Sequence, residues 1–76
     1  MTQPTLEDIG ARVRALMKAR GLSQADFAAL VGMDQPRVSR ALRGRYRLSL
    51  EGLIAIADAL DVHVAELVDG RAEENP

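Results

Sequence analysis

The sequence predicts an all-α fold, a compact bundle of five short helices, on the strength of three observations. Apolar residues recur at helical spacing in five successive segments, and no stretch alternates polar with apolar residues for long, as a half-buried strand would. Residues that begin and end helices separate these segments. Aromatic residues make up only 3% of the chain, whereas Ala, Leu, Val and Ile are plentiful. At 76 residues the chain has room for one domain with a modest core.

The first two helices are each bounded by a hydroxyl residue at the start and a glycine at the end. The first runs from Thr5 to Gly21 and the second from Ser23 to Gly32. In both, an Asp three residues after the hydroxyl residue completes a capping box. The predicted apolar stripe of the second helix consists of Phe27, Ala28, Leu30 and Val31.

The third helix begins at Asp34, has Pro36 in its first turn and ends at Gly44. Ser49 caps a fourth helix, which is rich enough in apolar residues to be largely buried. Its apolar positions are Leu50, Leu53, Ile54, Ile56, Ala57 and Leu60. A short fifth helix covers about residues 63–68. We therefore predict one domain over residues 1–70, followed by a disordered acidic tail at residues 71–76.

The net charge of −1 conceals a strong separation of charge along the chain. Residues 1–47 carry nine basic and four acidic residues, whereas residues 48–76 carry one basic and seven acidic residues. Five arginines and no acid lie between Arg37 and Arg47. Such a local field attracts a polyanion, although a solvated arginine face is the alternative for an isolated charge run.

Two short helices joined by a tight turn at residues 31–33 are the geometry that a helix-turn-helix requires. On the third helix, Val38, Ala41 and Leu42 share one face and are predicted to lie in the core. The opposite face carries the longer polar side chains. Gln35 and Arg37 lie on the exposed first turn of the third helix, where glutamine can pair with adenine and arginine with guanine.

The sequence resembles the phage-repressor and Cro-like helix-turn-helix family, also called the XRE type, over about residues 6–69. The resemblance is carried by Gly21-Leu22-Ser23-Gln24, Phe27-Ala28, Val31-Gly32, Val38-Ser39 and Leu53-x-x-Ile56-Ala57-x-Ala59-Leu60. It implies a lambda-repressor-like DNA-binding domain. It also implies that Gln24 holds a phosphate and supports Gln35.

The resemblance and the exposed face together give a set of candidate DNA contacts. The predicted base contacts are Gln35, Pro36, Arg37 and Arg40. The predicted phosphate contacts are Gln24, Ser39, Arg43, Arg45, Tyr46 and Arg47. The basic residues of the first helix stay undecided between phosphate contact and simple solvation.

We expect a cytoplasmic repressor that binds a near-palindromic operator in double-stranded DNA as a homodimer. The dimer is predicted to form through Ile54, Val64 and Val68, apolar residues beyond what one small core requires. An antitoxin or restriction-modification control protein of the same fold, with a toxin or other protein partner, is an alternative. A protein-interaction module that has lost DNA binding is another, and the basic outer face of the third helix counts against it.

Other classes of function find little support in the sequence. The chain has no cysteine and one histidine, His63, for which a capping or solvent role is favoured over zinc binding. No serine has a base beside it that could activate it as a nucleophile. We therefore expect neither an enzyme nor a metal site nor a cofactor, and no membrane segment or secretion leader is visible.

Overall fold

A computed structural model describes residues 3–69 and confirms the all-α prediction. The helices are α1 (Leu6–Ala19), α2 (Gln24–Val31), α3 (Gln35–Leu42), α4 (Leu50–Leu60) and α5 (Val64–Asp69). The predicted tail at residues 71–76 lies outside the described residues. None of the helices described is long and apolar enough to cross a membrane.

The helix starts form as the capping residues predict. The Thr5 hydroxyl accepts from the Asp8 N–H at 3.0 Å, while the Asp8 carboxylate accepts from the Thr5 N–H at 2.9 Å. Ser23 and Asp26 repeat this reciprocal pair at α2. Ser49 accepts from the Gly52 N–H at 3.0 Å at the start of α4. Local polar contacts thus fix where these helices begin.

The α1 terminus shows how glycine ends a helix in this chain. Gly21 has a φ of +66°, in the left-handed region that glycine occupies without strain. The Leu22 N–H then donates to the Met17 carbonyl at 3.0 Å, and the Gly21 N–H donates to the Lys18 carbonyl at 3.1 Å. These two bonds form a Schellman motif, which satisfies carbonyls left without helical partners.

One core joins all five helices. Its largest fully buried side chains are Phe27, Leu60, Leu67, Val13 and Val38, and each helix supplies one of them. α1 packs against α3, α4 and α5, while α2 packs against α3 and α4. The third helix is therefore held from behind by both α1 and α2, which leaves its other side open.

Two leucine positions depart from the sequence prediction, whereas the exposure of Ile54 agrees with its predicted place outside the core. Leu30 is 57% exposed, Leu50 67% and Ile54 44%, so α2 and α4 are less completely buried than their composition predicts. At 100° per residue, Ile54 lies about 100° around α4 from Leu53, outside the arc that neighbouring helices cover. Leu30 similarly lies on the far side of Phe27 from Ala28. The apolar residues of α2 and α4 cover a wider arc of each helix than the neighbouring helices of this small bundle can bury.

Candidate nucleic-acid interface

The turn between α2 and α3 contains only residues 32–34. Gly32 has a φ of +71°, and the following Met33 N–H donates to the Ala28 carbonyl at 3.1 Å. Asp34 then caps α3 by accepting from the Arg37 N–H at 2.8 Å. With eight residues in each helix, this segment has the predicted helix-turn-helix form.

α3 divides into a buried side and an exposed side, as its sequence predicts. Val38, Ala41 and Leu42 are buried in the core. The four predicted base-contacting residues are all exposed: Gln35, Pro36, Arg37 and Arg40. Since this side faces no other helix within residues 3–69, it is free to enter the major groove of DNA, which is wide enough to hold an α-helix.

The C-terminal end of α3 is seated directly on α1. A Cβ placed on Gly10 would stand 2.5 Å from the Leu42 carbonyl oxygen, so the two helix backbones touch there. Gly44 combines a φ of +73° with a similar contact, because an added Cβ would lie 2.7 Å from the Glu7 Cα. Neither glycine can be replaced without moving α3. The Gly10 contact was not predicted from the sequence. The signal for it was a glycine inside the apolar stripe of a predicted helix, which indicates a close approach of another backbone.

Five of the predicted phosphate contacts lie on α3 or in the connection that follows it. Arg43, Arg45 and Arg47 are exposed in the connection from α3 to α4, where Tyr46 is half-buried. Ser39 is half-buried on α3 itself. Three cations therefore project from one short connection next to the exposed side of α3, an arrangement that attracts the phosphate backbone.

Gln24 is placed at the first residue of α2, where its side chain is exposed. The resemblance implied that it supports Gln35. The structure shows no hydrogen bond between the two side chains, both of which are solvent-exposed. Their predicted roles toward phosphate and base therefore rest on position alone.

The basic residues of α1 separate into two kinds. The Arg12 guanidinium donates from Nη1 to the carbonyls of Leu67 and Val68, 3.1 Å from the former, and so binds the end of α5. Arg14 and Lys18 are exposed and make no hydrogen bond or ion pair within residues 3–69. Arg12 thus has a structural role that the sequence alone left open.

The residues predicted to form a dimer surface lie on α4 and α5. Ile54 is exposed, whereas Val64 and Val68 are half-buried. Val64 packs partly against the core, so only part of its side chain is available to a partner. The acidic residues of the same helices are largely exposed, at Asp58, Asp61 and Asp69. Positive and negative surfaces are thus carried by different helices.

No metal-binding cluster of histidine and carboxylate side chains occurs within the described part of the chain. His63 instead accepts from the Ala65 N–H through Nδ1 at 3.1 Å, at the start of α5. The structure thus shows both of the roles that the sequence left open for His63, a capping contact and exposure to solvent.

A helix-turn-helix with a cationic outer surface defines the class of small helical domains that bind DNA as transcriptional regulators. Comparison with known proteins agrees with that class. The chain belongs to the helix-turn-helix family, whose model matches residues 13–67.

Individual relatives place the chain among phage repressors and related regulators. An immunity repressor protein of Bacillus phage phi105 is 33% identical over 60 residues, which cover 79% of this chain and 42% of that protein. This chain thus spans less than half the length of that repressor.

Solved structures extend the comparison to the fold. The restriction-modification controller protein C.AhdI from Aeromonas hydrophila is 40% identical with a TM-score of 0.79, covering 82% of this chain and 94% of that one. The c2 repressor of phage P22, solved with a synthetic operator, is 28% identical with a TM-score of 0.78, covering 92% and 100%. The predicted resemblance is therefore confirmed.

Proposed function

We propose that this chain is a cytoplasmic repressor that binds a near-palindromic operator as a homodimer. The observation that carries the proposal is the exposed side of α3, which presents Gln35, Arg37 and Arg40 beside the three arginines of the following connection. The operator-bound repressor among the similar structures supports it.

The two groups of side chains have different roles in this proposal. Gln35, Pro36, Arg37 and Arg40 contact base edges in the major groove and supply discrimination. Phosphate contacts come from Gln24, Ser39, Arg43, Arg45, Tyr46 and Arg47, and they position α3 without reading sequence.

Dimerisation places two copies of α3 on one face of the duplex. Ile54, Val64 and Val68 provide the apolar contact, and the half-sites are then spaced by about one helical turn, roughly 34 Å. The acidic residues of α4 and α5 favour this arrangement, because phosphate repulsion directs that end of the domain away from the DNA.

A restriction-modification control protein is the second candidate, favoured by the 40% identity to such a controller. A regulator with a protein partner, as in an antitoxin, is compatible with the same surface. A similar structure is a complex of SinR with SinI, in which a protein of this fold meets another protein. Both alternatives retain the DNA-binding role of α3.

Selection of binding sites from a random duplex library with the purified chain tests the proposal. We expect recovered sites to share two inverted half-sites, and gel retardation of these sites to weaken steeply as salt rises. Recovery of unrelated sequences, with retardation equal to that of random duplex, would contradict specific operator binding. Retardation of no duplex at all would favour the protein-interaction alternative.

A further inference from the structure

Asp34 contacts Arg37 at two points at the start of α3. One carboxylate oxygen accepts from the Arg37 N–H at 2.8 Å, which is the helix cap. The other lies 3.4 Å from Arg37 Nε, so the carboxylate also pairs with the guanidinium. The two side chains are 55% and 53% exposed. One acidic residue therefore both begins the helix and orients an arginine on its DNA-facing side.

The pairing determines which edge of the guanidinium remains available. Because Asp34 lies against Nε, the free donors are those of Nη1 and Nη2 on the opposite edge of the planar fork. Two parallel donors match the O6 and N7 acceptors of guanine. Arg40, by contrast, has no ion pair within residues 3–69.

The pairing also changes how strongly this corner of α3 attracts phosphate. A paired carboxylate cancels most of the guanidinium charge at the distance of the DNA backbone, whereas it removes none of the Nη donors. Attraction to random duplex depends on charge, but recognition of a base depends on donor geometry. An exposed pair of this kind adds little to stability, so its effect is expected in binding.

We propose that Asp34 is a specificity-determining residue, which holds Arg37 in position to read a guanine and weakens its attraction to phosphates. The proposal rests on the DNA-binding function proposed above. It assigns to Asp34 a second role beyond capping, and it makes Arg37 a reader of one base pair in each half-site.

Asp34→Asn separates the two roles, because asparagine caps a helix as well as aspartate but carries no charge. Affinity is measured for the operator selected with the wild-type chain and for a random duplex, at several salt concentrations. We expect a severalfold gain on random duplex and a fall of about twofold to fivefold in the ratio of operator to random affinity, which is what an exposed pair of this kind can contribute. Circular dichroism checks that α3 is retained.

The same substitution in an Arg37→Ala chain is the control. If Asp34 acts through Arg37, the substitution raises affinity for both duplexes together in this background, so the ratio of operator to random affinity stays that of Arg37→Ala alone. An equal gain on both duplexes in both backgrounds would overturn the proposal, since it would mean that Asp34 only repels phosphate. The wild-type chain is tested first, before any variant is made. Its failure to retard any duplex would overturn the proposed function together with this proposal.

Discussion

Replacing Arg12 by Met should weaken the attachment of α5 to α1. The Arg12 guanidinium supplies two charged hydrogen bonds to the Leu67 and Val68 carbonyls in the last turn of α5. Such bonds contribute about 1.5–3 kcal/mol when the donor is charged. Since water can solvate the freed carbonyls at this half-buried site, we expect a total loss of about 2 kcal/mol. Methionine retains most of the apolar stem of the arginine side chain, so the loss in free energy of unfolding measures the contribution of the two hydrogen bonds.

The expected loss is a large fraction of what a domain of this size possesses, because its total stability is only about 5 kcal/mol. It corresponds to a decrease in Tm of roughly 8–16 °C. Urea denaturation followed by circular dichroism measures the free energy of unfolding, and hydrogen exchange of the α5 amides shows whether this helix opens first.

Arg14→Met is the matched control for this experiment. Arg14 is exposed on the same helix and makes no hydrogen bond or ion pair in the described part of the chain, so its loss should change stability by less than about 0.5 kcal/mol. Equal effects of the two substitutions would refute the reasoning. Unchanged exchange rates in α5 would also refute it, even if Arg12→Met lowered the overall stability.

Three further predictions concern binding, assembly and pH. Arg45→Ala should weaken binding to operator and random duplex alike and lower the salt slope by about one, whereas Arg40→Ala should flatten preference at one base pair; identical selected sites for Arg40→Ala and wild type would contradict the contrast. Val64→Asp with Val68→Asp should give a monomer in sedimentation, and an unchanged dimer would exclude this surface. The Thr5 backbone and hydroxyl hold the pKa of Asp8 below its ordinary value, with a contribution from Arg12. Stability from Asp8 is therefore fully present above the ordinary pKa of a carboxyl group and is lost as the pH falls through the lowered pKa of the folded state. The difference in urea midpoint between Asp8→Asn and wild type should be largest near neutral pH and shrink steadily in more acid solution; a constant difference would contradict this sign.

The helix boundaries were predictable because their causes are local. Thr5, Ser23 and Asp34 each contact a backbone N–H three residues away, within reach of any sequence-based argument. The exposed and buried sides of α3 were predictable for the same reason, since helical geometry alone places Val38, Ala41 and Leu42 on one side and Arg40 opposite them. The candidate interface follows from these two local rules.

Features that depend on distant parts of the chain could not be predicted in this way. Arg12 was undecided between DNA contact and solvation because its partners lie 55 and 56 residues away. The exposure of Leu30 and Leu50 was missed because periodicity shows which residues share a side, not how much of that side neighbouring helices cover.

The contacts behind α3 hold a helix of eight residues in the fixed geometry that the proposed base contacts require. An isolated helix of this length is unstable in water, so its geometry must come from its surroundings. The Asp34 cap holds its beginning, while Gly10 brings the α1 backbone against its last turn. Base discrimination requires donors held in fixed positions, because a side chain on a mobile helix would pay an entropic cost for each contact. The close approach at Gly10 therefore supports the proposed recognition surface, although it lies on the side of α3 that faces the core.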